Sequence, residues 1–241
     1  MTIEGKNPVK EAISGQVTIE KIYLQKGTER SSGNIVALAK EHKIPMHYAD
    51  KAVLDKMSRT GGRHQGVIAV ASEFVYSDLE DIFARAKEKG KPLFILILDG
   101  ITDPNNLGGI IRSAECAGVD GIVIPSRRAA GVTETVIKVS AGATQHVLIH
   151  KAVNVNDVIR RLKDMNVYVY AADMKGKPMY SVNLKGDVAI VIGSEGEGVK
   201  RLTLELSDDV ISIPQMGKIN SLNASVAAGI VLFEKIRQEN F

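Results

Sequence analysis

The sequence predicts an α/β protein whose larger part is a parallel sheet covered on both faces by helices. Three observations predict it. From residue 93 onward, short apolar runs alternate with amphipathic stretches. The runs are continuously apolar rather than alternating, as in strands buried on both faces. Polar, glycine-bearing turns follow several of these runs, at the strand ends where ligands of open α/β sheets bind.

In chain order, residues 1–72 form a smaller α/β pattern of their own, with helices near 8–14, 34–42 and 50–57 and strands at 19–24 and 66–71. Residues 73–77 lack periodicity and read as a linker, leaving 78–241 as a second domain. Ser77-Asp78-Leu79-Glu80 reads as a capping box that opens a helix running to about Lys89, stopped by Gly90 and Pro92. LFILILD (93–99), GIVIP (121–125), HVLIH (146–150), VYVYAA (167–172) and VAIVIG (188–193) read as buried strands. Residues 106–117, 155–166 and 199–206 fit helices, as do 223–238, where Val226, Ala227, Ile230, Val231 and Glu234 recur at helical spacing.

Composition narrows the function. With 44% hydrophobic and 24% charged residues the chain is neither disordered nor fibrous. The charged opening MTIEGKNPVKEA is not a signal peptide, and the expected location is cytoplasmic. One cysteine and five unclustered histidines imply no internal disulfide and no metal site. A net charge of +3 permits a nucleic-acid partner. The 5% aromatic content and lack of tryptophan favour phosphate and shape contacts over base stacking.

Three loops carry the candidate chemistry. The first, Leu98 to Ala114, runs from a strand end into a helix. If Asn105 or Asn106 caps that helix, Leu107, Ile110, Ile111 and Ala114 share its buried face and Arg112 lies opposite, free for a ligand or for solvent. The second, Gly193-Ser194-Glu195-Gly196-Glu197-Gly198, allows close backbone approach but carries acids that would repel phosphate, and it matches neither a GK[ST] nor a GxGxxG motif. It suits a ribose, a hydroxyl or a cation, although Glu197 also reads as a charge at the following helix's N-terminus. The third runs from Ile211 to Ser225. Ser221 and Asn223 are both good N-cap types and only one can cap, while Ile213, Met216 and Leu222 beside loop amides fit an adenine pocket as well as a core. Arg59-Thr60-Gly61-Gly62-Arg63-His64-Gln65 and Arg127-Arg128 are basic loops suited to RNA or simply to solvent.

These loops resemble the three motifs of the SpoU (TrmH) family of RNA ribose 2′-O-methyltransferases, within the SPOUT superfamily. The resemblance rests on Asn106-x-Gly108-x-x-x-Arg112, on Gly193-Ser194-Glu195-Gly196-x-Gly198, and on Ile213-Pro214-x-Met216 followed by Ser221-Leu222-Asn223-x-Ser225. Gly5-Lys6-Asn7-Pro8-Val9 and His64-Gln65-Gly66-Val67 resemble the subgroup that methylates a guanosine of 23S rRNA. The resemblance implies a catalytic domain with a deep trefoil knot, a small N-terminal domain like ribosomal protein L30e, and a homodimer joined through the knot; the basic loop with Arg59, Arg63 and His64 is the expected RNA contact of that N-terminal domain. It implies S-adenosylmethionine as cofactor, held by Gly193, Ile213, Pro214, Met216 and Leu222, and an RNA substrate. Asn106, Arg112, Glu195, Ser221 and Asn223 would surround the reacting ribose, and Arg127 and Arg128 would add RNA contacts. The family assigns the arginine matching Arg112 as general base. Guanidinium holds its proton so firmly that a phosphate clamp is the alternative, with Glu195 or solvent taking the proton. A dehydrogenase or kinase would need a dinucleotide or P-loop fingerprint that the first turn lacks, and a binding-only assembly factor would have no need of Asn106, Arg112, Glu195 and Asn223 together.

Overall fold

The computed structural model describes residues 2–14, 19–28, 32–58, 61–71, 74–218 and 221–241. The chain divides into two compact units, Met1–Val75 and Tyr76–Phe241. In the first unit, β1 (Thr2–Glu4), α1 (Lys6–Ser14), β2 (Ile19–Gln25), α2 (Gly33–Glu41), β3 (Met46–Ala49), α3 (Lys51–Met57) and β4 (Val67–Ala71) follow one another. The four strands make a sheet of order β1-β4-β2-β3. Alternating burial along β2 puts Ile22 and Leu24 against Val9 and Ile13 of α1 and Ile35 and Ala39 of α2, a small core of its own. The short strands β1 and β3 escape the sequence pattern because they bury no residue fully.

The second unit holds the predicted parallel sheet. Its strands are β5 (Phe94–Asp99), β6 (Gly121–Pro125), β7 (Leu148–Ala152), β8 (Tyr168–Pro178), β9 (Val188–Gly193) and β10 (Asp209–Ser212). The order is β10-β8-β9-β5-β6-β7 and every neighbouring pair is parallel. The central strands β5 and β9 are buried at every residue, which is why their sequences show no alternation. On one face, α4 (Leu79–Lys89) and α7 (Val155–Asp164) contribute Leu79, Ile82, Val158, Ile159 and Leu162 to the core. The other helices include α5 (Pro104–Cys116), α6 (Glu134–Val139), α8 (Arg201–Leu206) and α9 (Ala224–Asn240).

Helix α5 is gripped between two neighbours by glycines. A Cβ on Gly108 would lie 2.7 Å from the Val139 side chain of α6, and one on Gly109 would lie 3.2 Å from Ser225 Cβ of α9. The Gly108 of the first motif is therefore a packing residue. Helix α9 buries Ala228, Val231 and Leu232 but leaves Val226 and Phe233 each 49% exposed, so its apolar stripe is only partly covered within one chain.

Three local expectations are corrected. The capping box sits one residue later, with Asp78 N donating to Asp81 Oδ2 at 2.9 Å. Neither Asn105 nor Asn106 caps α5: Asp103 does, accepting from both their backbone N–H groups, with Pro104 in the first turn. Strand β8 continues six residues past its predicted end. Its pairing with β10 jumps from Ala171↔Val210 to Lys177↔Ile211, so Asp173–Gly176 pair with neither neighbouring strand. A Cβ on Gly176 would lie 2.5 Å from the Ile211 backbone, and glycine is what lets the bulged strand close again on β10.

Candidate active site

Three strand ends and the turns that follow them bound a cavity of about 630 Å³, within the size range of small-molecule sites. Its wall is built from the β8 bulge (Ala172, Asp173, Met174), the end of β9 and the 193–198 turn, and residues 211–213, 215 and 221–224 leading into α9.

The 193–198 turn is a tight hairpin. Ser194 N donates to Gly198 O at 3.1 Å and Gly198 N to Ser194 O at 2.9 Å, with Gly196 at φ 92° and Gly198 at φ 69°. A Cβ on Gly193 would fall 2.0 Å from Gly198 C. The close approach that Gly193 permits is thus first of all an approach of the chain to itself. The far end of the turn is clamped by Asp99, the last residue of β5. Its buried carboxylate accepts from Lys200 N at 3.0 Å and Thr203 Oγ1 at 2.8 Å, and pairs with the Lys200 ammonium. Sequence reasoning missed Asp99, Lys200 and Thr203; the available signal was an acid closing an otherwise apolar buried strand. Because α8 starts only at Arg201, Glu197 stands outside its first turn and is not a helix-terminus charge.

Asn223 is the N-cap of α9. Its Oδ1 accepts from Ser225 N at 3.0 Å and Val226 N at 3.3 Å. Its Nδ2 donates to Asn106 Oδ1 at 2.8 Å and to Glu195 Oε1 at 2.7 Å, and Glu195 Oε1 also accepts from Ala224 N at 3.1 Å. One side-chain amide therefore ties the three loops together. Asn106 is held at 8% exposure, and the second oxygen of Glu195 has no protein partner among the described residues.

Of the expected cofactor contacts, Gly193, Ile213 and Leu222 line the cavity; Ser221, expected near the ribose, lines it too. Pro214 and Met216 do not, and Met216 is 98% exposed. Asp173, Met174 and Gln215 line the cavity without having been singled out, because a strand bulge leaves no periodic mark. Arg112 is exposed on α5 outside the cavity wall, with no hydrogen bond or ion pair among the described residues. Arg127, Arg128 and Arg63 are exposed. His64 is only 1% exposed, its Nε2 2.9 Å from Asp55 Oδ1 and its Nδ1 accepting from Gly66 N at 3.0 Å, so in this structure its side chain builds the turn. Arg59 lies outside the described residues. No cluster of potential metal ligands occurs among the described residues, and no helix of theirs is long and apolar enough to cross a membrane.

The fold and the tied loops define a class that comparison with known proteins then specifies. Residues 93–233 match the SpoU rRNA Methylase family, and residues 2–77 match the RNA 2′-O ribose methyltransferase substrate binding family. The chain belongs to the SpoU/TrmH family of RNA methyltransferases. It is 38% identical over 239 residues to YacO of Bacillus subtilis, assigned to the TrmH family of tRNA/rRNA methyltransferases, covering 98% of this chain and 95% of that protein. An AdoMet-bound rRNA methyltransferase from Sinorhizobium meliloti superimposes with a TM-score of 0.62 at 25% identity, covering 98% of this chain and 86% of that one. AviRb of Streptomyces viridochromogenes, a SpoU methyltransferase, shares the fold at 21% identity and a TM-score of 0.63, covering 99% and 90% of the two chains.

Proposed function

We propose that this chain binds S-adenosylmethionine in the 630 Å³ cavity and methylates a ribose 2′-hydroxyl of structured RNA, a guanosine of 23S rRNA being the intended target. The observation that carries the reading is the cavity-lining Asn223, whose amide joins the lining Glu195 to Asn106, which stands outside the wall. Buried backbone walls at Gly193 and Ile192 with apolar Ile213 and Leu222 suit an adenosyl group, and the acidic wall suits its cationic end. When bound, the cofactor supplies an electrophilic methyl group.

The chain's own residues then have to orient a hydroxyl and relieve it of a proton. Asn106, fixed by Asn223, offers its amide to the ribose. Glu195 is held by two donors on one oxygen and keeps the other for the hydroxyl proton. Arg112 grips a phosphate. Since Arg112 stands off the cavity of its own chain, it serves the site of a second copy, docked over the exposed Val226 and Phe233 of α9. The N-terminal unit contributes RNA contacts through Arg63, and Arg127 and Arg128 contribute on the catalytic unit.

The test is direct. The protein is incubated with labelled S-adenosylmethionine and unmodified 23S rRNA or tRNA, and the product nucleotides are mapped by mass spectrometry. A 2′-O-methylguanosine in 23S rRNA alone is expected; modification of tRNA alone would overturn the target, and a methylated base would overturn the chemistry.

A further inference from the structure

The β8 bulge places Asp173 in the cavity wall, where its Oδ1 accepts from Lys175 N at 3.0 Å and its Oδ2 has no protein partner among the described residues. Both neighbouring strands leave Asp173 unpaired, so the bulge aims an acid at the ligand space rather than extending a ladder. The 193–198 hairpin faces it at contact distance: a Cβ on Gly198 would lie 3.5 Å from Asp173 Oδ2. The ionisable residues lining the cavity are Asp173, Glu195 and Glu197, all acids, with no Lys, Arg or His among the described lining residues. Glu195 is engaged by Asn223 and the α9 N-terminus, and Glu197 is exposed on the hairpin, which leaves Asp173 as the uncommitted charge on the strand side.

We propose that Asp173 sets the cavity's preference for the cationic cofactor over the spent one, so that product leaves because its charge has gone. This rests on the cofactor reading above. S-adenosylmethionine carries a sulfonium and an ammonium against one carboxylate, a net charge of plus one. Transfer moves the methyl from sulfur to the ribose oxygen: the S–CH₃ bond breaks, its electron pair stays on sulfur, an O–CH₃ bond forms, and the hydroxyl proton goes to the acceptor. What remains in the cavity is S-adenosylhomocysteine, a neutral thioether. A fixed carboxylate in partly desolvated surroundings attracts the first species and is indifferent to the net charge of the second. The neutral ligand therefore loses a Coulomb attraction at the moment of reaction, while every apolar contact of the adenosyl group is unchanged.

Calorimetric titration of the full-length protein with S-adenosylmethionine, S-adenosylhomocysteine and sinefungin, an analogue with an amine in place of the sulfonium, separates the possibilities. Wild type should prefer the two cations. Asp173→Asn keeps the acceptor for Lys175 N and removes only the charge. It should weaken both cations about tenfold, the scale of one partly screened charge contact, and leave S-adenosylhomocysteine within about twofold. Equal weakening of all three, or of none, would overturn the role of Asp173 while leaving the cofactor reading intact. Failure of wild type to bind any of the three would overturn both. Should the variant not fold, wild type alone tests the same point, through the ratio of its affinities for S-adenosylmethionine and S-adenosylhomocysteine between about 0.05 and 0.5 M salt. The ratio should shrink as screening rises, and a constant ratio refutes the proposal.

Discussion

Asn223 performs two tasks that substitution can separate. In Asn223→Ala the helix loses an N-cap that accepts from Ser225 N and Val226 N, worth about 1 kcal/mol in comparable helices. Asn106 Oδ1, at 8% exposure, also loses its donor. An unsatisfied buried acceptor costs about 1–3 kcal/mol, taken at about 1 because Asn106 keeps some contact with solvent. The sum of about 2 kcal/mol corresponds to a melting point lower by about 4–8 °C for a chain of this length. Asn223→Asp keeps the cap, since its carboxylate still accepts both N–H groups and faces a helix N-terminus. It loses the donor, however, and sets a second acid where Glu195 Oε1 now lies 2.7 Å from Nδ2. The Asp variant should therefore melt closer to wild type than the Ala variant and yet be at least as inactive, with turnover down by about a hundredfold through loss of orientation. Melting curves and single-turnover methylation of RNA measure the two effects. An Asp variant with wild-type turnover, or an Ala variant with an unchanged melting point, refutes the reasoning.

Other expectations follow from single contacts. Gly193→Ala should force the 193–198 hairpin open, because its Cβ would sit 2.0 Å from Gly198 C, lowering the melting point by several degrees and abolishing cofactor binding by calorimetry. Asp99→Asn should unclamp Lys200 at a cost of about 1–2 kcal/mol, small for a buried acid because Lys200 is 53% exposed, and raise the cofactor Kd more than the RNA Kd. Arg112→Lys should cut turnover by at least about tenfold and weaken RNA, since an ammonium cannot reproduce a two-pronged phosphate contact; near-full activity with unchanged RNA affinity would exclude the clamp. The Tyr170 phenol, donating to Asn183 O at 2.6 Å, is pushed up from 10.0 to about 12, first by burial and then by nearby Tyr168, Asp209 and Asp208. A raised folded-state value means its contribution to stability is full below pH 10 and declines as pH climbs towards 12. Denaturant melts across that range should show this alkaline loss in wild type and less of it in Tyr170→Phe; identical slopes would contradict it.

What the sequence discloses follows burial. Strands β5, β6 and β9 are legible because nearly every residue is packed on both sides and only apolar side chains are tolerated there. The Leu107, Ile110, Ile111, Ala114 face of α5 is legible for the same reason, even though its cap falls on Asp103 rather than an asparagine. The β8 bulge is not legible, since Asp173–Gly176 answer to no period and look like an ordinary polar turn. His64 is misleading: flanked by Arg63 and Gln65 it reads as surface, and only its partners Asp55 of α3 and Gly66 two residues on show why it is buried. Within the site, residue types suggested a ligand loop at 193–198, but not that its far end is anchored through Lys200 by Asp99 of β5, 101 positions before Lys200.

The tie made by Asn223 also orders events in time. Its partners lie 117 and 28 positions upstream, and it stands after every strand of the sheet. In the proposed function, Asn106 and Glu195 are held together only once the last helix, with Asn223 at its N-terminus, is in place. Partial unfolding that releases this helix would erase activity long before it erases the fold. On that proposal, agents that loosen the final helix would act as inhibitors without occupying the cavity.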